Sequence, residues 1–343
     1  MAKRDRQLQK ILWHVQDHFH PDAERIVEAA LDRFRPELVN THNLQGIGYN
    51  LLRAVGRHGV PCVQTLHDFG FLCIAMNMFR GGQECVYRHL SCQGSAALKR
   101  RFFLDIEALA FVAPSVALLN RYRPYLPPHR EACAIPLALQ FPALTNEAHQ
   151  RSDRLRVLFV GQLEPWKGID FLLSAIASLS QPERLKLQIV GGGSLLDTLT
   201  EKYRAAEWVS FVGKVPAATV SRFMQESDIL AVPSIWFENA PIVISEAIHH
   251  GLPVLASDVG GLPEMVERGT NGDLLPPGHG PSWTTALERL LRCPEVLATW
   301  KLGAATTRDR FSADTLGNRT VELFSRMITG RHTQELVAEE TSQ

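Results

Sequence analysis

The sequence predicts an α/β protein whose strands run parallel in doubly wound sheets. Three observations carry this expectation. From residue 155 onward six short runs, RVLFVG, LKLQIV, WVSFVG, DILAVP, LPVLAS and GDLLP, alternate with segments of helical periodicity, the grammar of repeated strand–helix units. The runs are continuously apolar, as strands buried on both faces are. Several end in Gly or Pro, which leaves room for a ligand at the carboxyl ends of the strands.

The intervening segments read as amphipathic helices. In GIDFLLSAIASLS, Phe171, Leu172, Ala175, Ile176 and Leu179 recur on one face, at the spacing that a core-facing helix requires. The first 140 residues repeat the pattern less completely. Their strands are ELVNT, PCVQTL, AFVAP and EACAI; their helices are AERIVEAALDRF, GIGYNLLRAVGRH, ALKRRFFLDIEAL and SVALLNRYRPYL. Between Asp68 and Ser95 periodicity is weak. A connection that long implies a functional loop or a poorly ordered one. Residues 136–153, rich in Pro and polar side chains, read as a linker.

Length and composition fit this organisation. The chain has 343 residues, enough for two domains, and is 45% hydrophobic and 21% charged, which excludes a disordered chain or a small disulfide scaffold. We expect a first domain over 1–145 and a second domain over 146–311. A carboxyl-terminal helix over 312–330 could pack back on the first domain, and 331–343 reads as a polar tail. Lys plus Arg equals Asp plus Glu at 36 each, so no overall field favours nucleic acid. The amino terminus, MAKRDRQLQK and then ILWHVQDHFH, lacks the apolar core of a secretory signal. The expected location is the cytoplasm. The six cysteines form no CxxC pair and are expected as reduced thiols.

Chemistry concentrates in SIWFENAPIVISEAIHHGLPVLASDVGGLPE. Glu238 and Glu246 flank Pro241, and proline suits a first helical turn because that amide would be unpaired anyway. A helix from Pro241 to His250 then has Glu238 just ahead of it and Glu246 inside it. The amides of Ile242, Val243 and Ile244 would be free at the positive end of the dipole, where phosphate binds. A capped helix with solvated glutamates is the competing reading. In VGQLEPWKGIDFLLSAI a strand ends at Gly161, and a loop carries Lys167 into a helix opening at Gly168 or Ile169. A cation there could neutralise a diphosphate leaving group without a metal ion; a surface lysine near a helix start is the competing reading.

Other motifs point elsewhere and fail. IVGGGSLLDTL would need glycine at position 196 for a dinucleotide fingerprint and has Leu196. Cys73, Cys85, His89 and Cys92 do not match a zinc-knuckle spacing, so no metal is expected. Lys99, Arg100, Arg101, Phe102 and Phe103 fit either docking on anionic lipid at the inner face of a membrane or a solvated helix face above core phenylalanines.

The succession GQLxPxKG, IVGGGS, VSFVGKV and E-x7-E followed by GLPVLASDVGGLPE resembles the carboxyl-terminal domain of family 4 glycosyltransferases over about 155–280. THNLQG, VPCVQTLHDFGFLC and FVAPSVALL resemble the later part of that family's acceptor domain. The resemblance implies a GT-B fold, two Rossmann-like domains facing across a cleft, with the amino-terminal one incomplete. It implies a retaining enzyme that moves a sugar from a nucleotide-diphosphate donor to a glycan or lipid-linked acceptor, with no other cofactor. By the same resemblance Glu238 touches the donor sugar, Glu246 the ribose and Lys167 the diphosphate. Backbone at Gly213 and Lys214 faces the nucleobase, Gly161 and Gln162 line the phosphate loop, and His67 lies near the reacting centre. Gln162 stands where the family usually has arginine, so one phosphate cation is absent. An inactive homologue that binds nucleotide sugar without turnover is the alternative, and an epimerase of the same fold is a third reading. His42 also follows a strand, and Asp68 could orient His67.

Overall fold

The computed structural model describes residues 13–80, 83–85, 89–138, 140–141 and 153–330. The chain divides into two compact units, one running to Ile135 and resuming at Gly317, the other spanning Pro136–Leu316. The division precedes the boundary expected at residue 145. Strand β6 (Glu131–Ala134) closes the first sheet, and Pro136 lacks the amide needed to extend its ladder. Most of the expected linker, 142–152, and the tail 331–343 lie outside the described residues.

In the first unit α1 (Ala23–Phe34) precedes β1 (Val39–Thr41), α2 (Leu52–Arg57) and β2 (Cys62–Thr65). A short antiparallel pair, β3 (Phe79–Arg80) and β4 (Gln83–Glu84), follows, then α3 (Leu90–Leu104), β5 (Leu109–Ala113), α4 (Val116–Tyr122) and β6. The sheet order is β1-β2-β5-β6, all parallel. Ser115 caps α4, its hydroxyl accepting the Leu118 amide at 3.2 Å, which supplies an acceptor to one orphan donor of the first turn. The first part of the stretch after Asp68 is packed rather than loose: Phe69, Phe71, Leu72, Cys73 and Met78 are all buried.

Helix α3 corrects one expectation. Lys99 is not on a solvated face; it is 1% exposed and paired with Asp17 at 2.8 Å. It also donates to the Gly70 carbonyl and sits 4.7 Å from the centre of the Tyr49 ring. Phe102 and Phe103 are buried as expected. Among the described residues no helix is long and apolar enough to cross a membrane.

The second unit holds β7 (Leu155–Val160), α5 (Ile169–Ala177), β8 (Leu185–Val190), α6 (Leu196–Lys202), β9 (Val209–Gly213), α7 (Ala217–Glu226), β10 (Ile229–Val232), α8 (Ile242–His249), β11 (Val254–Ser257), β12 (Gly272–Leu275), α9 (Gly280–Arg292) and α10 (Pro294–Thr306). Its six strands lie in the order β12-β11-β10-β7-β8-β9 and all pair in parallel. Alternate residues of β7 serve opposite faces. Val157 and Phe159 join Leu172, Leu173 and Ile176 of α5 and Trp283 and Leu287 of α9. Leu158 joins Ile244, Ala247 and Ile248 of α8 and Phe223 and Met224 of α7. Each fully buried leucine or isoleucine contributes roughly 1.5–3 kcal/mol over its exposed state.

Helix α11 (Ala313–Thr329) ends the described chain. Its Leu323 and Met327 lie in the core of the first sheet with Val63, Ala110, Val112 and Ile135. Arg326 pairs with Glu131 of β6 at 2.8 Å.

Candidate functional site

The strand order of the second unit fixes where a ligand can sit. From β7 the chain winds outward through β8 and β9, then returns to β10 on the other side of β7 and winds outward again. At such a reversal the loops leaving the two central strands diverge and open a crevice at their carboxyl ends. The loops after β7 and β10 are the ones that carry Lys167 and Glu238.

The two loops are tied together. After Gly161 and exposed Gln162 the chain forms a 3-10 turn, Pro165–Lys167, closed by Gly168 in the left-handed region at φ 71°. A Cβ at Gly168 would overlap the Pro233 carbonyl oxygen, so only glycine lets the turn lie against the end of β10. The Ile235 amide donates to the Trp166 carbonyl at 3.0 Å. Lys167 Nζ then reaches Glu238 Oε1 at 2.6 Å.

Glu238 is not a solvated carboxylate: its side chain is 12% exposed. The same Oε1 accepts the Ser234 hydroxyl at 2.6 Å, and Ser234 is fully buried. The Glu238 backbone carbonyl accepts the Gly261 amide at 2.7 Å. Gly260, at φ 60°, packs so closely on Glu238 that a Cβ would meet its backbone. Three strand-end loops, after β7, β10 and β11, therefore hold one carboxylate beside one cation.

Helix α8 starts beside this pair, with Pro241 as its N-cap residue. One expected donor is spent: the Ile244 amide bonds the Pro241 carbonyl at 3.0 Å, the short i→i+3 bond that tightens many helix starts. Ile242 and Val243 remain the first-turn amides for an anion. Glu246 is half-buried, and that burial pushes its carboxyl above the usual range. After β8, the Gly191 amide bonds the Gly213 carbonyl at 2.8 Å, and the Lys214 side chain lies along Gly192. Beside them an open hollow of about 370 Å³ is lined by Leu196, Asp197, Thr200, Glu201, Phe211 and Gly213. Among the described residues assigned to the donor, only Gly213 lines it.

In the first unit the parallel register pairs Thr41 with Gln64, so the residues that leave β1 and β2 are neighbours. His42 Nδ1 and His67 Nε2 lie 2.7 Å apart, and His42 Nε2 lies 3.1 Å from Asn40 Nδ2. Buried Gln64 fixes the chain at His42, donating to its carbonyl at 2.7 Å while accepting from Thr41. Burial, then the His42 ring, lowers the His67 pKa, with Asp68 opposing. Asp68 directs Oδ1 to the Gly70 amide at 2.6 Å, and burial raises its own pKa. In the sequence each of the two is a lone histidine after a strand, and only the family resemblance favours His67. Asn40 and Ser234 belong to no motif; their importance comes from contacts alone.

The thiols at Cys73, Cys85 and Cys92 are free, and His89 meets Arg80 at 3.0 Å. Among the described residues no group of three or more His, Cys, Asp or Glu side chains is placed to hold a metal.

Comparison with known proteins follows the same line. Residues 142–306 match the family described as "Glycosyl transferases group 1". A D-inositol 3-phosphate glycosyltransferase of Streptomyces bingchenggensis is 30% identical over 315 residues, covering 88% of this chain and 64% of its own. A D-inositol 3-phosphate glycosyltransferase 2 of Catenulispora acidiphila is 32% identical over 302 residues, covering 79% and 66%. The chain thus spans just under two thirds of the length of these relatives. The fold is similar to the Anabaena protein HepE in complex with UDP, with TM-score 0.69, 20% identity and coverage of 89% and 82%. It is also similar to sucrose-phosphate synthase from Thermosynechococcus elongatus, with TM-score 0.71, 21% identity and coverage of 90% and 78%. The α/β architecture with parallel sheets is that of GT-B glycosyltransferases.

Proposed function

We propose, from the group 1 glycosyl transferase domain carried by residues 142–306, that this chain is a retaining glycosyltransferase with a nucleotide-diphosphate sugar as donor. The observation that carries the reading is the Lys167–Glu238 pair at the reversal between β7 and β10. That crevice is where an α/β sheet takes up a nucleotide. HepE, similar in fold, has structures in complex with UDP and with UDP-glucose, which favours a nucleotide-sugar donor here.

The residues divide the work by charge. Lys167 and the amides of Ile242 and Val243 take the diphosphate, so that negative charge developing on the leaving group meets fixed positive charge. No metal ion is needed in this reading. Glu246 accepts the ribose hydroxyls, and backbone at Gly213 and Lys214 meets the nucleobase. Glu238 accepts from hydroxyls of the donor sugar, and His67 is a catalytic residue of the transfer. In transfer with retention the bond from the anomeric carbon to the diphosphate oxygen breaks and the acceptor oxygen bonds the same face. The acceptor proton passes to the leaving phosphate. The acceptor is a glycan or a lipid-linked glycan.

A thermal-shift screen of UDP-, GDP- and ADP-sugars tests the donor, because a ligand of the native state raises its melting temperature. Calorimetry with Lys167→Ala and Glu246→Ala then tests the placement; we expect each to weaken binding, and unchanged affinity in both would refute it. Transfer is assayed with glycans, lipid-linked glycans and inositol phosphate as acceptors. The second reading, nucleotide-sugar binding without turnover, draws on one residue: Gln162, exposed and uncharged on the phosphate loop. Binding without transfer to any acceptor would select it.

A further inference from the structure

The contacts between Asn40, His42 and His67 determine where the protons lie. An amide nitrogen can only donate, so Asn40 Nδ2, 3.1 Å from His42 Nε2, makes that ring nitrogen an acceptor. The Thr65 hydroxyl donates to Asn40 Oδ1 at 3.2 Å, which fixes the amide with its nitrogen towards His42. A neutral His42 then carries its proton on Nδ1 and donates to His67 Nε2 across 2.7 Å. The ring centroids are 5.0 Å apart with planes 21° from parallel. With so short an N···N distance the rings meet edge to edge, along the direction a hydrogen bond requires. His67, accepting at Nε2, holds its own proton on Nδ1.

We infer that His42, oriented by Asn40, is a positioning residue that fixes His67 as the Nδ1–H tautomer and so makes it serve the transfer as a hydrogen-bond donor rather than as a base. The inference rests on the catalytic role of His67 proposed above. Neutral imidazole exposes one donor and one acceptor, and the partner of one nitrogen decides the role of the other. A donor suits an oxygen on which negative charge grows, or a sugar hydroxyl accepting a bond. The lowered pKa of His67 keeps the ring neutral near pH 7, the state in which tautomer choice matters. Gln64, Thr41 and Thr65 lock the strand ends that carry the relay. The relay thus starts from Asn40 on β1 and runs through the two segments that leave the strand ends.

Asn40→Asp inverts the relay with almost no change of shape. A carboxylate only accepts, so His42 must donate from Nε2, its Nδ1 becomes the acceptor, and His67 must move its proton to Nε2. Nitrogen NMR of the ring resonances at about pH 9, above the imidazole range, reads the tautomer directly in the full chain. We expect Nδ1–H at His67 in the wild type and Nε2–H in Asn40→Asp. In transfer assays we expect kcat to fall about tenfold to a hundredfold in the variant, with the KM for donor changed less than about threefold. An Nε2–H tautomer in the wild type overturns the inference. So does an unchanged tautomer in the variant, or an inverted tautomer with full kcat. Should no acceptor be glycosylated at all, the transferase reading falls by itself, while the wild-type resonances still decide the tautomer.

Discussion

Lys167 Nζ and Glu238 Oε1 are 2.6 Å apart, and Ser234 donates to the same carboxylate oxygen. The cation proposed for the diphosphate is therefore neutralised by the group proposed for the sugar before any donor arrives. Glu238→Gln separates the two roles. Removing the negative charge leaves Lys167 to the diphosphate alone, and a partly screened pair of this kind is worth about 1 kcal/mol. Binding of UDP should tighten about threefold to tenfold by calorimetry, while transfer falls at least about a hundredfold. Weaker UDP binding in Glu238→Gln would mean that Glu238 orients Lys167 rather than competing for it.

Glu246 links donor binding to pH. Burial raises its carboxyl pKa, so the free protein keeps the proton to a higher pH than an ordinary glutamate does. Hydroxyls of a ribose donate to the ionised form and must expel that proton. Donor affinity should accordingly fall as pH drops through the raised pKa, with proton release on binding in that window. Calorimetry at a series of pH values from neutral down to the ordinary glutamate range, in two buffers of different ionisation enthalpy, measures the release. Glu246→Gln should bind less tightly at neutral pH and lose the release altogether. A wild type that binds without releasing protons would remove Glu246 from the ribose.

The buried pair Lys99–Asp17 makes a claim about stability alone. Both side chains are almost fully excluded from solvent, and the Gly46 amide also donates to Asp17 at 3.0 Å. Lys99→Ala leaves a carboxylate buried without its cation, which costs about 3–5 kcal/mol. Lys99→Met combined with Asp17→Asn, which removes both charges and keeps most of the volume, should recover more than half of that loss. Urea unfolding measures both. Equal losses in the single and the double variant would show that packing, not charge, decides the site.

What the sequence could announce depended on whether the cause was local. The strands of the second unit are legible because β10, with all four residues buried, must be apolar throughout, and α5 shows its buried face as a period. Lys99 was legible too: it is spaced three and four residues from Ala96 and Phe103, both buried, so the helical period alone puts it inside. Helical phase, not charge, decides where Lys99 lies. The contact of His42 with His67 was not legible, since it depends on the register of β1 against β2, a pairing that neither strand encodes alone. Ser234 is similar: its hydroxyl acts through a carboxylate four residues on, at a loop turn no periodicity describes. The spent amide of Ile244 came from the tightening of one helical turn, below the resolution of any spacing rule.

His250, which ends α8, predicts acid sensitivity of the second unit. Burial, then His249 and Arg308, pushes its pKa down to about 4, and Nε2 meets the Ser221 hydroxyl at 2.9 Å. In the unfolded chain the ring titrates near 6.5. The stability that follows from keeping His250 neutral is complete above that value and is lost as pH falls towards 4, because the unfolded chain then binds a proton that the native one refuses. The ring is only partly buried, so screening limits the effect to about 1–2 kcal/mol. His250→Gln, neutral at every pH, should remove that share of the loss between pH 7 and pH 4.5 in urea unfolding. Parallel pH dependence in wild type and variant would show that His250 charges freely in the folded protein.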